Sequence, residues 1–407
     1  MGDKRVAVLQ GSATRLPFPD DYFDAVITDP PYYDNVPYGD LSDFFYVWLK
    51  RTVGDLYPKL FATPLTPKSE EMVADASKSG GMEQAKRRFE ELLTQAFREI
   101  RRVLKPDGIV VIVFAHKTTS AWETVIQALL RAGLYLTASW PVHTEMRERL
   151  RAQESAALAS SIYMVCRKRM RDEVGEFPKV REEIERNVRE KLAQFWDEGI
   201  RGADFFMSAI GPAVEAFGKY ARVEKLSGQE VTVPELLKYV HRVVSEFALE
   251  RLLKGKPGTV DNEGRFYLLW RSTYGRARVP FDEARKLAQS IGFEMERHWG
   301  RDGFVRKEKG YVRLLWAKER SREFLEREKA GNMVDVVHKA ALLWERNDRT
   351  GLQEHLKGCG YPEESIRALA QAIADVLPEG DDERRLLQGL LGGWPKRAEA
   401  EHLKLGY

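Results

Sequence analysis

Only two cysteines occur in 407 residues, Cys166 and Cys359, and they form no CxxC pair. This excludes a disulfide framework and a zinc ribbon, and it makes a reducing compartment the expected setting. Cys166 ends Ser161-Ile162-Tyr163-Met164-Val165, a pattern that predicts a buried strand thiol rather than a reactive one. No apolar run exceeds strand length, so no transmembrane helix or signal peptide is expected, and a cytoplasmic protein is. Neither sign of charge dominates: 65 Lys+Arg against 62 Asp+Glu give a net +3. No global field marks a polyanion partner, and any basic surface has to be local. The chain also lacks a glycine-rich loop that follows a buried strand and precedes an acid. Ser79-Gly80-Gly81, Gly358-Cys359-Gly360 and Gly392-Gly393 read as loops or helix ends.

What is present is a globular composition, 43% hydrophobic and 31% charged, enough for two or three domains. The organising stretch is Asp29-Pro30-Pro31-Tyr32, which follows the strand-like run Phe23 to Thr28. The double proline forces a turn at the strand's carboxyl end, the edge where open α/β sheets bind ligands. Its chemistry suits methylation of an exocyclic amine, a planar and weakly nucleophilic group. Asp29 and the Pro30 carbonyl would hold the two N–H bonds, so that catalysis comes mainly from positioning and electrostatics. Tyr32 would stack on a base removed from its helix.

Arg5 to Leu9 reads as a brief strand, leading to Ser12, Ala13 and Leu16-Pro17-Phe18. Leu41 to Arg51 reads as an aromatic-rich helix whose side chains are expected to pack in the core. Thr63 to Gly81 reads as a mobile loop able to close over substrate. Phe89 to Leu104 has helical apolar spacing, and Ile109 to Ala115 reads as a strand buried on both faces. Ser120 and Glu123 suggest a capping box, with Gly133 ending that helix. Strands follow at Leu134–Trp140 and Ser161–Arg167. His116, Lys117, Trp140 and Glu145, with Tyr33 and Asn35 beside the motif, fall where they would face the same crevice as Asp29. Arg147, Arg149, Arg151, Arg167, Lys168, Arg169 and Arg171 give a local basic density suited to phosphates.

The expected organisation is an α/β domain over 1–171, a helical connector over 172–255, a winged-helix-like domain over 256–320 and a helical region over 321–407. In the third part, Phe281 to Ala288 begins a helix-turn-helix, with its recognition helix near Glu294 to Arg301. Phe304 to Leu315 would be the wing. Only about thirty residues precede the motif, too few for the βαβ unit that usually holds a nucleotide cofactor. The strand before Asp29 is therefore expected to expose an unpaired edge, completed by a protein partner or by an N-terminal half outside this chain.

The run from Asp29 to Arg51, with "FAHKTTSAWE" from Phe114, "ASWPVHTE" from Ala138 and "YARVEKLSGQEVTV" from Tyr220, resembles the large adenine-specific DNA methylases that carry an amino-terminal domain of unknown function. The resemblance implies the second half of a Rossmann-like methyltransferase sheet. It implies S-adenosylmethionine as cofactor, DNA adenine as substrate and Asp29, Pro30, Pro31 and Tyr32 as catalytic. Ser12, Ala13 and Asp29 would then contact the cofactor, although serine stands at Ser12 where that family usually has aspartate. A defence or restriction-modification role would follow. The residues leave two other readings open: a non-catalytic DNA-binding subunit, or an amino-methyltransferase for RNA or for protein glutamine.

Overall fold

The computed structural model describes residues 6–32, 36–69, 71–75, 80–116, 118–143, 160–170, 172–255, 259–300, 302–327 and 330–395. Two compact units divide the chain: residues 1–146, 158–191 and 207–237 form one, and 147–157, 192–206 and 238–407 the other. The divisions at 191, 206 and 237 run through helices.

The first unit is built on a mixed four-stranded sheet of β1 (Phe23–Thr28), β2 (Leu104–Phe114), β3 (Leu134–His143) and β4 (Ser160–Lys168), in the order β1-β2-β4-β3. β1 and β2 are parallel, and β4 runs antiparallel to both β2 and β3. The carboxyl ends of β1, β2 and β3 thus share one edge of the sheet. Gly108 lets β1 and β2 approach, because a Cβ there would lie 2.9 Å from the Asp24 carbonyl oxygen. Helices α2 (Met82–Val103) and α3 (Thr119–Arg131) follow the apolar spacing read from the sequence and bury Phe89, Phe97, Trp122 and Leu129. Beneath them Val110, Ile112, Phe114, Ile162, Met164 and Cys166 are all buried. Burial pushes the Cys166 thiol well above its usual pKa, as expected for an inert core thiol.

The opposite face differs. Val111 and Val113 alternate with those buried residues, and neither they nor Tyr163 and Val165 beside them are buried. The expectation that β2 is buried on both faces is thus half met. Three further expectations fail in this unit. Residues 6–9 form no strand, with Val6 and Val8 more than 90% exposed, because no described neighbour offers them hydrogen bonds. Helix α1 (Tyr38–Val53) exists, but none of its sixteen residues is buried, so its aromatics do not enter the core. The cap of α3 is Thr118; Ser120 lies inside the helix and donates to the Thr118 hydroxyl at 3.3 Å. Gly133, with φ of 76°, does terminate α3.

The loop expected to move is pinned to α1 where it is described. Asp43 accepts from the Thr66 hydroxyl and pairs with Lys68 at 2.6 Å, and Glu71 accepts from the Gly39 amide at 2.6 Å. After β5 (Val174–Glu176) come α4 (Phe177–Asp197), α5 (Gly202–Ser208) and α6 (Ile210–Gly218). Next, β6 (Arg222–Glu224) pairs in parallel with β5. α6 lies against β3, and Gly211 permits the contact: a Cβ there would overlap the Ser139 side chain.

Thr232 and Glu235 exchange hydrogen bonds as a capping box at the start of α7 (Val233–Leu252), which leads into the second unit. There α8 (Asn262–Tyr274), β7 (Val279–Pro280) and α9 (Phe281–Ser290) precede the hairpin β8 (Val305–Glu308) and β9 (Tyr311–Leu314). Lys309 and Gly310 both have positive φ, as a tight hairpin turn requires, and β7 adds a third strand. The expected recognition helix is instead a four-residue 3₁₀ turn, Met295–His298. Helices α10 (Arg322–Glu326), α11 (Met333–Glu345), α12 (Arg349–Gly358), α13 (Glu363–Val376) and α14 (Asp382–Gly392) complete the unit.

This unit buries charge. Arg271 pairs with Glu383 at 3.1 Å and donates to the Tyr267 hydroxyl at 2.8 Å. Arg320 pairs with Asp335 at 2.7 Å and meets Nδ1 of His338 at 3.0 Å. Burial first, then Arg320 and Arg271, hold His338 well below the usual histidine pKa. The native ring therefore stays neutral while the unfolded chain takes up a proton below about pH 6.5, so stability falls as pH drops through that range. Glu383 works in the opposite sense: burial raises its pKa, so its contribution falls as pH rises above the ordinary carboxylate range. Substitution isolates the histidine. Relative to His338→Leu, the native chain is expected to lose up to about 1.4 kcal/mol per pH unit between 6.5 and the native pKa. Urea denaturation at several pH values measures the difference; parallel profiles would contradict it.

Candidate active site at the carboxyl edge of the sheet

β1 delivers Asp29 to the carboxyl edge, where its side chain is exposed while Pro30 is buried and Pro31 and Tyr32 are part-buried. The prolines do what their chemistry dictates, ending the strand and turning the chain inward. The Tyr32 ring meets Phe114, at the end of β2, at 5.7 Å and nearly perpendicular. Phe114 in turn packs edge-on against Trp122 of α3 at 4.9 Å. The motif is thereby anchored to the covered side of the sheet through one wholly buried ring.

Tyr32 and Asp29 are joined by a side-chain hydrogen bond in which the phenol donates to the carboxylate. Burial, that hydrogen bond and the charge of Asp29 push the Tyr32 hydroxyl well above the usual phenol pKa. Burial and Asp29 raise Tyr38 as well. Both phenols therefore stay protonated at any physiological pH, and Tyr32 is the donor to the carboxylate. The arrangement offers an acceptor with oriented partners and flat aromatic surface. It is suited to holding a planar N–H group rather than to moving protons.

Tyr163 of β4 also bears on Tyr32, and the sequence reasoning did not single it out. In register it stands between Val113 of β2 and Trp140 of β3. Register partners share a face, so Tyr163 and Trp140 form an aromatic pair on the open face beside the motif. Trp140 is 53% exposed, and it lies within β3, which runs on to His143, rather than at the strand's carboxyl end. The alternation of Tyr163 and Val165 with Ile162, Met164 and Cys166 was the available signal.

His116 is placed differently from expectation. It is 4% exposed, its Nδ1 receives the Thr118 amide at 3.1 Å, and its carbonyl accepts from Trp122 Nε1 at 2.9 Å. It serves the start of α3 rather than the crevice. Tyr33, Asn35, Lys117 and Glu145 lie outside the described residues, as do Arg147, Arg149, Arg151 and Arg171. The other members of the basic cluster are engaged within the chain: Arg167 with the Asp107 carbonyl, Lys168 with Asp21 at 2.6 Å, and Arg169 with the Tyr220 carbonyl.

Two of the residues expected to contact S-adenosylmethionine, Ser12 and Ala13, lie in one turn before Leu16. Ser12 is engaged with the Thr14 hydroxyl at 2.8 Å and the Thr14 amide at 3.3 Å, in a turn closed by a bridge to Arg15. The segment before it is exposed and strandless, so among the described residues nothing there forms a wall for an adenosyl group. Asp29 alone is suitably placed, at the strand end. Compared with protein-family models, with curated proteins and with solved structures, the chain finds no match.

Proposed function

We propose that this chain carries the target-base half of an S-adenosylmethionine-dependent amino-methyltransferase acting on adenine in DNA. The observation that carries the reading is the Asp29–Tyr32 pair at the carboxyl end of a parallel strand: an exposed carboxylate oriented by a phenol, beside part-exposed aromatic surface. Asp29 and the Pro30 carbonyl accept the two amino protons of the target base, Tyr32 stacks on it, and the nitrogen lone pair is left facing outward. In this reading Ser12, Ala13 and Asp29 bear on the methyl donor, and a protein partner supplies the rest of its site. The strand and helix order of the first unit agrees with the second half of a Rossmann-like sheet. The choice of adenine rests on the sequence resemblance.

Calorimetry with S-adenosylmethionine on the chain alone is expected to give no binding. Tritiated methyl transfer to unmethylated plasmid DNA, by the chain isolated with its native partners, tests the activity. Label in RNA or in protein glutamine but not in DNA would refute the substrate assignment.

Trp140 and Tyr163 extend the aromatic surface, and a base–aromatic stack contributes about 1–3 kcal/mol. Trp140→Ala is accordingly expected to weaken binding of a single-stranded oligonucleotide roughly tenfold. Fluorescence anisotropy of a labelled strand reads this out, and unchanged affinity would remove Trp140 from the surface.

A further inference from the structure

The second unit holds a cleft that takes no part in the proposed chemistry, formed where α7, the first turn of α8 and the end of α9 meet. Its volume is about 420 Å³, inside the range of roughly 300–1,000 Å³ usual for small-molecule sites. Arg242, Glu246, Leu249 and Glu250 recur at helical spacing on α7 and make one wall. Arg265 of α8 and residues 289–292 line the rest. Two of the helices are tied to each other behind the cleft. The buried hydroxyls of Ser245 on α7 and Ser290 on α9 meet at 2.7 Å, and Ser290 also donates to the Leu287 carbonyl at 2.7 Å. The walls are thus set before anything enters.

The lining carries both signs of charge, guanidiniums from Arg242 and Arg265 and carboxylates from Glu246 and Glu250. Arg242 Nε lies 3.7 Å from Glu246 Oε1, beyond hydrogen-bond length, and among the described residues its other contact is the Tyr239 ring at 5.2 Å. Its planar fork therefore keeps donors for an anionic group. α9 ends at the cleft, where Gly292 takes a φ of 68° and returns its amide to the Gln289 carbonyl at 3.2 Å. A helix carboxyl end carries partial negative charge and favours a cation. The buried Leu249 and half-buried Ile291 add apolar contact between these polar groups.

We propose that this cleft binds a small zwitterion with an apolar side chain, an amino acid or dipeptide. Its carboxylate meets the arginines, and its ammonium faces the glutamates and the end of α9. The mixed lining disfavours other ligands. A phosphate would bring uncompensated negative charge towards Glu246 and Glu250, and a polyamine would bring positive charge towards the two guanidiniums. A neutral apolar molecule would strip water from the charged side chains and return no hydrogen bonds. The proposal is independent of the methyltransferase reading.

The test uses the full chain, with L-leucine and leucyl-leucine as probes. Calorimetry is expected to show saturable binding at millimolar concentration or below, and hydrogen exchange new protection in residues 246–250 and 289–292. N-acetyl-leucyl-leucine lacks the ammonium and leucyl-leucinamide lacks the carboxylate. Each is expected to bind roughly tenfold more weakly, because it leaves lining charges of one sign without a partner. Arg242→Gln and Glu246→Gln alter exposed side chains, so circular dichroism should not change. Each is expected to weaken leucyl-leucine binding roughly tenfold. Four results would each overturn the proposal: no saturable binding of either probe at millimolar concentration, blocked peptides that bind as well as the free one, an affinity indifferent to both variants, or tighter binding of inorganic phosphate than of the dipeptide.

Discussion

Asp29→Ala is expected to lower methyl transfer by about a thousandfold, or about 4 kcal/mol of activation free energy, while DNA affinity changes less than threefold. The asymmetry follows from what the side chain does. A single acceptor for an amine hydrogen adds little to an affinity that phosphate contacts dominate. It adds much once the amine must present its lone pair in one direction. Asp29→Asn keeps an acceptor oxygen and should retain part of the rate. Tyr32 separates two roles within the same pair. Tyr32→Phe removes only the donor that orients Asp29, so a drop of roughly tenfold is expected. Tyr32→Ala also removes the stacking surface and should approach the Asp29→Ala value. Single-turnover rates and filter-binding affinities, measured on the active complex, distinguish these outcomes. Equal loss of rate and affinity in Asp29→Ala would mean that the residue holds the surface together rather than the amine.

The second large effect lies far from any proposed chemistry. Arg320→Met leaves Asp335, 2% exposed, without its nearer guanidinium, with Arg327 remaining at 3.7 Å, and Glu383→Leu leaves the buried Arg271 without its ion-pair partner. Glu383→Leu is expected to destabilise the second unit by about 3–5 kcal/mol, because an uncompensated charge stays buried, and Arg320→Met by less, because Arg327 still bears on Asp335. The pair Arg271→Met with Glu383→Leu removes both charges and should cost much less than the sum of the two. Thermal unfolding on the order of 10 °C lower for the singles, with recovery in the double, is the expected pattern. Additive losses would show that packing rather than charge is being measured.

Much of the first unit was legible because its signals are local. The apolar spacing of Phe89, Leu93 and Phe97 specifies a helix, and the β-branched run from Ile109 to Val113 specifies a strand. Asp29 was legible because two prolines leave the chain few conformations. What was not legible depends on partners. Val6 and Val8 have strand propensity, but a strand exists only through hydrogen bonds to a neighbour, and here none is described. The α1 aromatics look like core residues, since sequence records hydrophobicity but not which surface will receive it. Ser120 with Glu123 and Thr118 are close enough in sequence that the cap shifts by two residues on tertiary contacts alone. The helix expected near Glu294 shrank to a 3₁₀ turn, and nothing in its polar, aromatic sequence fixes its length. Tyr163 was missed because register, which sequence does not give, is what sets it beside Trp140.

The interleaving of the two units constrains the ribosome as well as the finished molecule. The first unit is complete only when residue 237 has been made, and by then residues 192–206 of the other unit have already emerged. The usual order, in which an amino-terminal domain folds before the next is synthesised, is therefore not open to this chain. Its sheet can form early, from residues 23–168, but it must wait for α6 to cover β3. During that interval the bare β1 edge and the apolar helix α1 are offered to whatever is nearby. Slower synthesis of the stretch up to α6 should lengthen that exposure and raise the fraction lost to aggregation.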